Sequence, residues 1–192
     1  MNFETAHLSF PKPGERVNGD AVLVRRDTTR ARTRTLLAVI DGLGHGPGAA
    51  EASVRAIKEL EGGSLGTSAL DLMTSVHQAL RGTRGAVGTI CLIDGDRLEA
   101  CAVGNVSLMC SNCYVPLVLS PGILGQSVSK FRVASAQLGS GSRLALLSDG
   151  LSLRFKLDEV RELAPREACK SIVDRFRRYD DDATVLVAEL KS

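Results

Sequence analysis

LLAVIDGLGHGPGAA, Leu36 to Ala50, is an apolar run that ends on a carboxylate and then breaks into glycines at alternate positions, Gly42, Gly44, Gly46 and Gly48. Extended back to Thr33, the run reads TRTLLAVID, β-compatible throughout and without polar alternation, as a strand covered on both faces would be. Two chemistries place a strand, a glycine turn and a helix in this order. The glycines can cradle the phosphates of a nucleotide, or Asp41 can hold a metal. A dinucleotide fingerprint wants an acidic residue about 20 positions further on, closing a second parallel strand. Here ELEGGSLGTSALDLM fills that region with a helix end, a loop and another helix, and no Gly-Lys-Ser/Thr follows the glycines. The metal alternative is the stronger.

Outward from this stretch, DAVLVRRD (Asp20 to Asp27) reads as a strand joined to Thr33–Asp41 by the polar connector DTTRAR, a hairpin. Val54, Ile57 and Leu60 recur at helical spacing until Gly62-Gly63 stops them. Leu70, Leu72, Met73, Val76 and Leu80 mark a second helix ending near Gly82. From Gly88 the period changes: GTICLI and RLEACAV flank Asp94-Gly95-Asp96, a tight-turn signal. NVSLMC, YVPLVLS, FRVASAQL and SRLALLS read as further strands, Pro165 to Arg178 as a helix and TVLVAEL as a last strand. Short connections favour antiparallel pairing, and helices set apart from such strands imply an α+β layered fold. The length of 192 residues suits one domain over residues 1–192.

Composition narrows the classes. A net charge of +2 creates no field that selects nucleic acid or a membrane surface, and 4% aromatic content argues further against nucleic acid. No apolar run approaches the ~18 residues of a membrane span, and the N-terminus has no apolar signal region; a cytoplasmic monomer is expected. Five cysteines, an odd number, suggest reduced thiols rather than a disulfide framework. Cys110-Ser-Asn-Cys113 lacks the two further ligands zinc would need and reads as structural. Arg25, Arg26, Arg30, Arg32 and Arg34 crowd the first hairpin, and Arg81 and Arg84 flank the second helix's exit; such groups either dock a phosphoprotein or nucleic acid or, more often, are solvated charges.

The aspartates are the chemistry-bearing residues. Asp41 and Asp149 each end an apolar run and precede a glycine. Asp20 and Asp181, within Asn18-Gly19-Asp20 and Asp180-Asp181-Asp182, each stand before an apolar run. Any Asp-Gly alone is an ordinary turn. If paired strands bring these ends to one edge, however, the carboxylates repel and raise one another's pKa, a cost that divalent cations remove. Oxygen-only ligands suit Mg²⁺ or Mn²⁺.

The set NGD, DGLGHG, RGAVGTICLI, VGNV, LLSDG and DDATVLVAEL, in that order from about Asp20 to Leu190, resembles the metal-dependent serine/threonine phosphatases of the PP2C type. Within them it is most similar to the SpoIIE-like bacterial branch, and to the stand-alone phosphatases that reset the stressosome by dephosphorylating its STAS-domain proteins. The resemblance implies an αββα sandwich, two central antiparallel sheets flanked by helix pairs. It implies two Mn²⁺ or Mg²⁺ ions bridged by Asp41, with Asp149 and Asp181 at the first and Asp20 and the Gly42 carbonyl at the second. It also implies that cation-activated water attacks phosphorus in line, without a phosphoenzyme or a catalytic cysteine. The chain departs from the family pattern at several places. Leu43 stands where eukaryotic members carry a histidine, leaving His45 either a general acid or a solvent-facing residue. Asn105 replaces the aspartate of a third metal. Arg16 is the nearest candidate for the substrate-phosphate arginine.

Overall fold

The computed structural model describes residues 2–28 and 33–191, so Arg30 and Arg32 of the basic hairpin lie outside the described residues. Along the chain it runs β1 (Asn2–Phe10), β2 (Asp20–Thr28), β3 (Thr33–Gly42), α1 (Pro47–Gly62), α2 (Ala69–Ala79), β4 (Ala86–Asp94), β5 (Arg97–Val103) and β6 (Ser107–Ser111). There follow β7 (Gly122–Ile123), β8 (Ser127–Val128), β9 (Val133–Gln137), β10 (Arg143–Leu147), a 3-10 turn (Leu157–Val160), α3 (Pro165–Phe176) and β11 (Ala183–Lys191).

Side-chain alternation along the central strands builds the layers. In β3, Leu36, Ala38 and Ile40 enter a core shared with α1 and α2, where Ala52, Ala56, Leu60, Leu72, Met73 and Val76 meet them. Leu37 and Val39, on the other face, enter a second core with Leu144, Leu146, Leu186 and Ala188. On the far side Ala145, Leu147, Val185 and Val187 form a third core with Ala168, Cys169, Ile172 and Val173 of α3. A strand flanked by apolar layers on both sides gains nothing from polar alternation, which is why TRTLLAVID has none. One sheet has the order β2-β3-β4-β5-β9, the other β1-β11-β10-β6, with β7-β8 a small ribbon. Every pairing within them is antiparallel. The result is the expected α+β sandwich: α1 and α2 cover one outer face, and α3 with the one-turn 3-10 helix covers the other.

Antiparallel β2, β3 and β4 remove the nucleotide alternative, which needs a parallel βαβ unit. Two other expectations are corrected. YVPLVLS is not a ladder strand: Val115 and Leu117 do pack on the inter-sheet core, but Pro116 has no N–H to donate, and only Ser120 bridges to Val103. Val54 and Leu70, part of the apolar helix patterns, turn outward and are exposed. The basic hairpin is not a free patch among the described residues. Arg25 donates to the Leu60 and Gly63 carbonyls at 3.0 and 2.5 Å, and Arg34 pairs with Asp94 at 2.9 Å.

Candidate metal centre

Register and strand ends gather the carboxylates. Asp20, the first residue of β2, lies directly opposite Asp41 of β3. Like charges in that position destabilise a sheet, yet Asp20 is only 7% exposed. Because β10 and β11 are antiparallel neighbours, with Leu147 opposite Val185, Asp149 just after β10 and Asp181 just before β11 reach the same edge from the other sheet.

Polar groups fix Asp20 between the sheets. Ser148 Oγ donates to Asp20 Oδ2 at 2.7 Å and accepts the Thr184 N–H at 2.9 Å. Thr184 Oγ1 lies 2.5 Å from Ser9 Oγ, which accepts from Asn18 Nδ2 at 2.7 Å; Asn18 Oδ1 in turn accepts the Asp20 N–H at 2.9 Å. Two glycines are required for closeness. A Cβ on Gly42 would lie 2.0 Å from the Ala49 carbonyl oxygen, and one on Gly150 would lie 1.9 Å from the Asp182 carbonyl oxygen.

Burial pushes the Asp41 carboxyl up to about 9, and the neighbouring Asp20, Asp149, Asp181 and Asp182 charges add to the rise. Burial likewise lifts Asp20 to about 7; hydrogen bonding to Ser148 and Thr184 opposes the lift, while Asp182 and Asp149 reinforce it. Asp149 is raised by burial and by Asp181, against the pull of Asn105, whose Nδ2 donates to Asp149 Oδ2 at 2.6 Å, and of Arg178. Asp20 Oδ1 and Asp149 Oδ1 are buried without a hydrogen-bond partner among the described residues. Desolvated carboxylates with orphaned oxygens fit oxygen-seeking divalent cations. A cleft of 360 Å³, lined by Asp41, Leu43, Gly44, Asn105, Asp149 and Asp181 among others, gives access. Among the described residues no three carboxylate, imidazole or thiol side chains already converge on one point at ligand geometry; the aspartates ring the cleft instead of closing on a single position.

The Stage II sporulation protein E (SpoIIE) family model matches residues 31–191. This chain belongs to the SpoIIE family. No curated protein sequence matches it significantly. Among solved structures, it is similar to a chain from a study of "the bacterial stressosome: a modular system that has been adapted to control secondary messenger signaling". The two share 32% identity at a TM-score of 0.89, over 98% of this chain and 100% of that one. It shares the fold of RsbX solved in complex with magnesium (24% identity, TM-score 0.82, over 98% of this chain and 96% of that one). The fold is shared too with the catalytic domain of the serine/threonine protein phosphatase PstP, solved with two manganese ions (20% identity, TM-score 0.72, 99% of each chain). The PP2C-type sandwich implied by the sequence motifs is therefore the fold of this chain.

In this SpoIIE-family chain the sequence-derived residues separate into groups. Asp41, Asp149 and Asp181 line the cleft, and Asp20 stands beside Asp41 in register. Gly42 follows Asp41, its N–H donating to the Gly19 carbonyl at 3.1 Å. His45 does not line the cleft; its Nδ1 lies 2.6 Å from Glu15 Oε1, and the side chain is half exposed. Arg16 is exposed on the loop between β1 and β2. Three further residues matter. Ser148 orders Asp20, and a serine before Asp-Gly carries no signal for that. Asp182 accepts the Lys12 and Gly19 N–H groups at 2.8 and 3.0 Å. Arg84 lies over the glycine turn: a Cβ on Gly48 would come within 2.6 Å of its Nε, and one on Gly44 within 3.7 Å of a terminal nitrogen.

Proposed function

We propose that this chain is a Mn²⁺- or Mg²⁺-dependent protein phosphatase acting on phosphoserine and phosphothreonine of STAS-domain stressosome proteins. The observation that carries the metal-dependent chemistry is the in-register pair Asp20 and Asp41, facing Asp149 and Asp181 across the sheet edge, with two buried oxygens unsatisfied. Asp41, Asp20, Asp149, Asp181 and the Gly42 carbonyl would hold the cations. Bound there, divalent ions supply Lewis acidity toward a phosphoryl oxygen and toward water. The magnesium in the RsbX structure and the two manganese ions in that of PstP support this assignment. The stressosome context of the 32% identical chain supports the substrate class.

The chain's own residues do the positioning. Ser148 holds Asp20 with a hydrogen bond that favours its charged form, and Asn105 does the same for Asp149. Arg84, beside the cleft wall at Gly44, supplies positive charge for the phosphate of the substrate, a role that Arg16 on its exposed loop is less well placed to fill. Cysteine chemistry has no place here. Burial pushes Cys91 up to about 12 and Cys101 and Cys169 to about 11. Cys110 lies opposite Leu144, and Cys113 follows the end of β6 that pairs with Arg143, at the end of β10 away from Asp149.

The test is hydrolysis of a generic aryl phosphate with Mn²⁺ or with a chelator, beside Asp41→Asn and Asp149→Asn, followed by phosphorylated STAS-domain proteins. Turnover that needs metal and is abolished by both substitutions is expected. Metal binding without turnover on either substrate would make the chain an inactive metal-binding module, and absence of metal binding would overturn the proposal altogether.

A further inference from the structure

Asn105 and Asp149 form a wall with a cleft on each side. One is the carboxylate cleft described above; the other, of 270 Å³, is floored and flanked by Leu119, Leu151 and Leu153 and bordered by Arg178. Leu151 is buried, whereas Leu119 and Leu153 are 43% and 48% exposed, so apolar surface is open to solvent at this concavity. The backbone around this groove is fixed. The Arg178 N–H donates to the Gly150 carbonyl at 2.8 Å, and Leu151 bridges Arg177.

Resting on the phosphatase function proposed above, we infer that this groove is the subsite for one large apolar side chain of the phosphoprotein, within two residues of the phosphorylated serine or threonine. Three observations carry it. The groove is continuous with the carboxylate cleft, because Asn105 and Asp149 line both. Its volume of 270 Å³ has room for a large apolar side chain. An extended peptide advances about 3.3 Å per residue, so a chain crossing the wall places a neighbour of the phosphorylated residue over the leucines. At the border Arg178 and the Asp149 carboxylate offset one another, leaving the leucines as the groove's recognition surface.

The experiment uses phosphoserine peptides with alanine at every flanking position except one, which carries leucine at each of the two positions before and the two after the phosphoserine in turn. Rates are read as kcat/KM on the metal-loaded protein and on Leu153→Ser and Leu119→Ser, both exposed positions whose folding is checked by melting temperature. Anisotropy of the same labelled peptides on Asp41→Asn reads binding without turnover. Leucine at one position is expected to raise kcat/KM and affinity about tenfold, as burial of such a side chain allows. Lysine at that position should not, and the serine variants should lose the gain while hydrolysing a small aryl phosphate at the original rate. A gain that survives both variants, or no gain at any position in either measurement, overturns the subsite. Absence of hydrolysis of both the aryl phosphate and phosphorylated STAS-domain proteins by the unmodified protein would instead overturn the phosphatase function, and the anisotropy would still decide the groove.

Discussion

Asp182 joins the two ends of the chain beside the carboxylate cleft: its carboxylate accepts the Gly19 N–H at 3.0 Å and the Lys12 N–H at 2.8 Å, holding the turn that delivers Asp20. Hydrogen bonds to a charged, buried acceptor contribute about 1.5–3 kcal/mol each. Losing two such bonds while relieving Asp182's repulsion of Asp20 and Asp41, Asp182→Ala is expected to destabilise the protein by about 2–4 kcal/mol in denaturant unfolding, and Asp182→Asn by less, since the amide retains one acceptor. A change under about 0.5 kcal/mol for the alanine variant, the size of an ordinary surface substitution, would refute the role.

Gly42→Ala and Gly150→Ala should each cost about 3 kcal/mol or more, because the new methyl meets a backbone oxygen that no rotamer change can move. Gly139→Ala, which meets nothing within 4 Å, is the control and should be close to neutral. Similar melting temperatures for all three variants would contradict the packing described.

Stripped of metal, the protein should lose stability as pH rises. Asp41 and Asp20 titrate near 9 and 7 in the folded chain, far above the ordinary carboxylate value of about 3.9. Between those limits the native state binds more protons than the unfolded state, so the unfolding free energy falls with increasing pH. Melting temperature in chelator should decline from about pH 5 to about pH 9, and the decline should shrink in Asp41→Asn and with saturating Mn²⁺. An identical slope in all three samples would count against these carboxyls as its source.

Arg84→Ala is expected to raise KM for a phosphorylated protein about tenfold, with a smaller effect on kcat, as loss of a charge-assisted contact to phosphate predicts. His45→Ala should change either constant less than about threefold, since its imidazole is turned to Glu15 outside the cleft. The reverse ranking in steady-state kinetics would return His45 to the chemistry.

Arg143, 3% exposed, donates to the Val160 and Leu163 carbonyls at 2.5 and 2.7 Å and pairs with Glu189. Arg143→Leu leaves those acceptors and a carboxylate without a partner, and should destabilise by about 3–5 kcal/mol in chemical denaturation. A stable leucine variant would show that the 3-10 turn does not depend on this contact.

The strands buried on both faces are legible in the sequence because an unbroken apolar run closed by turn residues fits a strand between two layers and no amphipathic element; the aspartates at their ends are legible with them. β1 is not legible as a strand. Only Ala6, Leu8 and Phe10 face the α3 core, while Thr5, His7 and Ser9 occupy the alternate positions and blur the pattern. YVPLVLS is the converse, β-like composition without a ladder. Within Asp180-Asp181-Asp182, sequence alone cannot tell the cleft residue from the one that braces Gly19, because adjacent residues at a strand entry point in opposite directions. Arg84 escapes for a different reason. Its proximity to Gly44 depends on the pairing of Gly42 with Ala86, a long-range register absent from any local pattern.

The carboxylates come from both halves of the sandwich, Asp20 and Asp41 from the five-stranded sheet and Asp149 and Asp181 from the ends of β10 and β11 in the four-stranded one. Cations bound between them would rivet the seam, and their binding energy would be felt wherever the sheets would part. Amide protons of the inter-sheet core, far from any loop, should then exchange more slowly as the cation concentration rises.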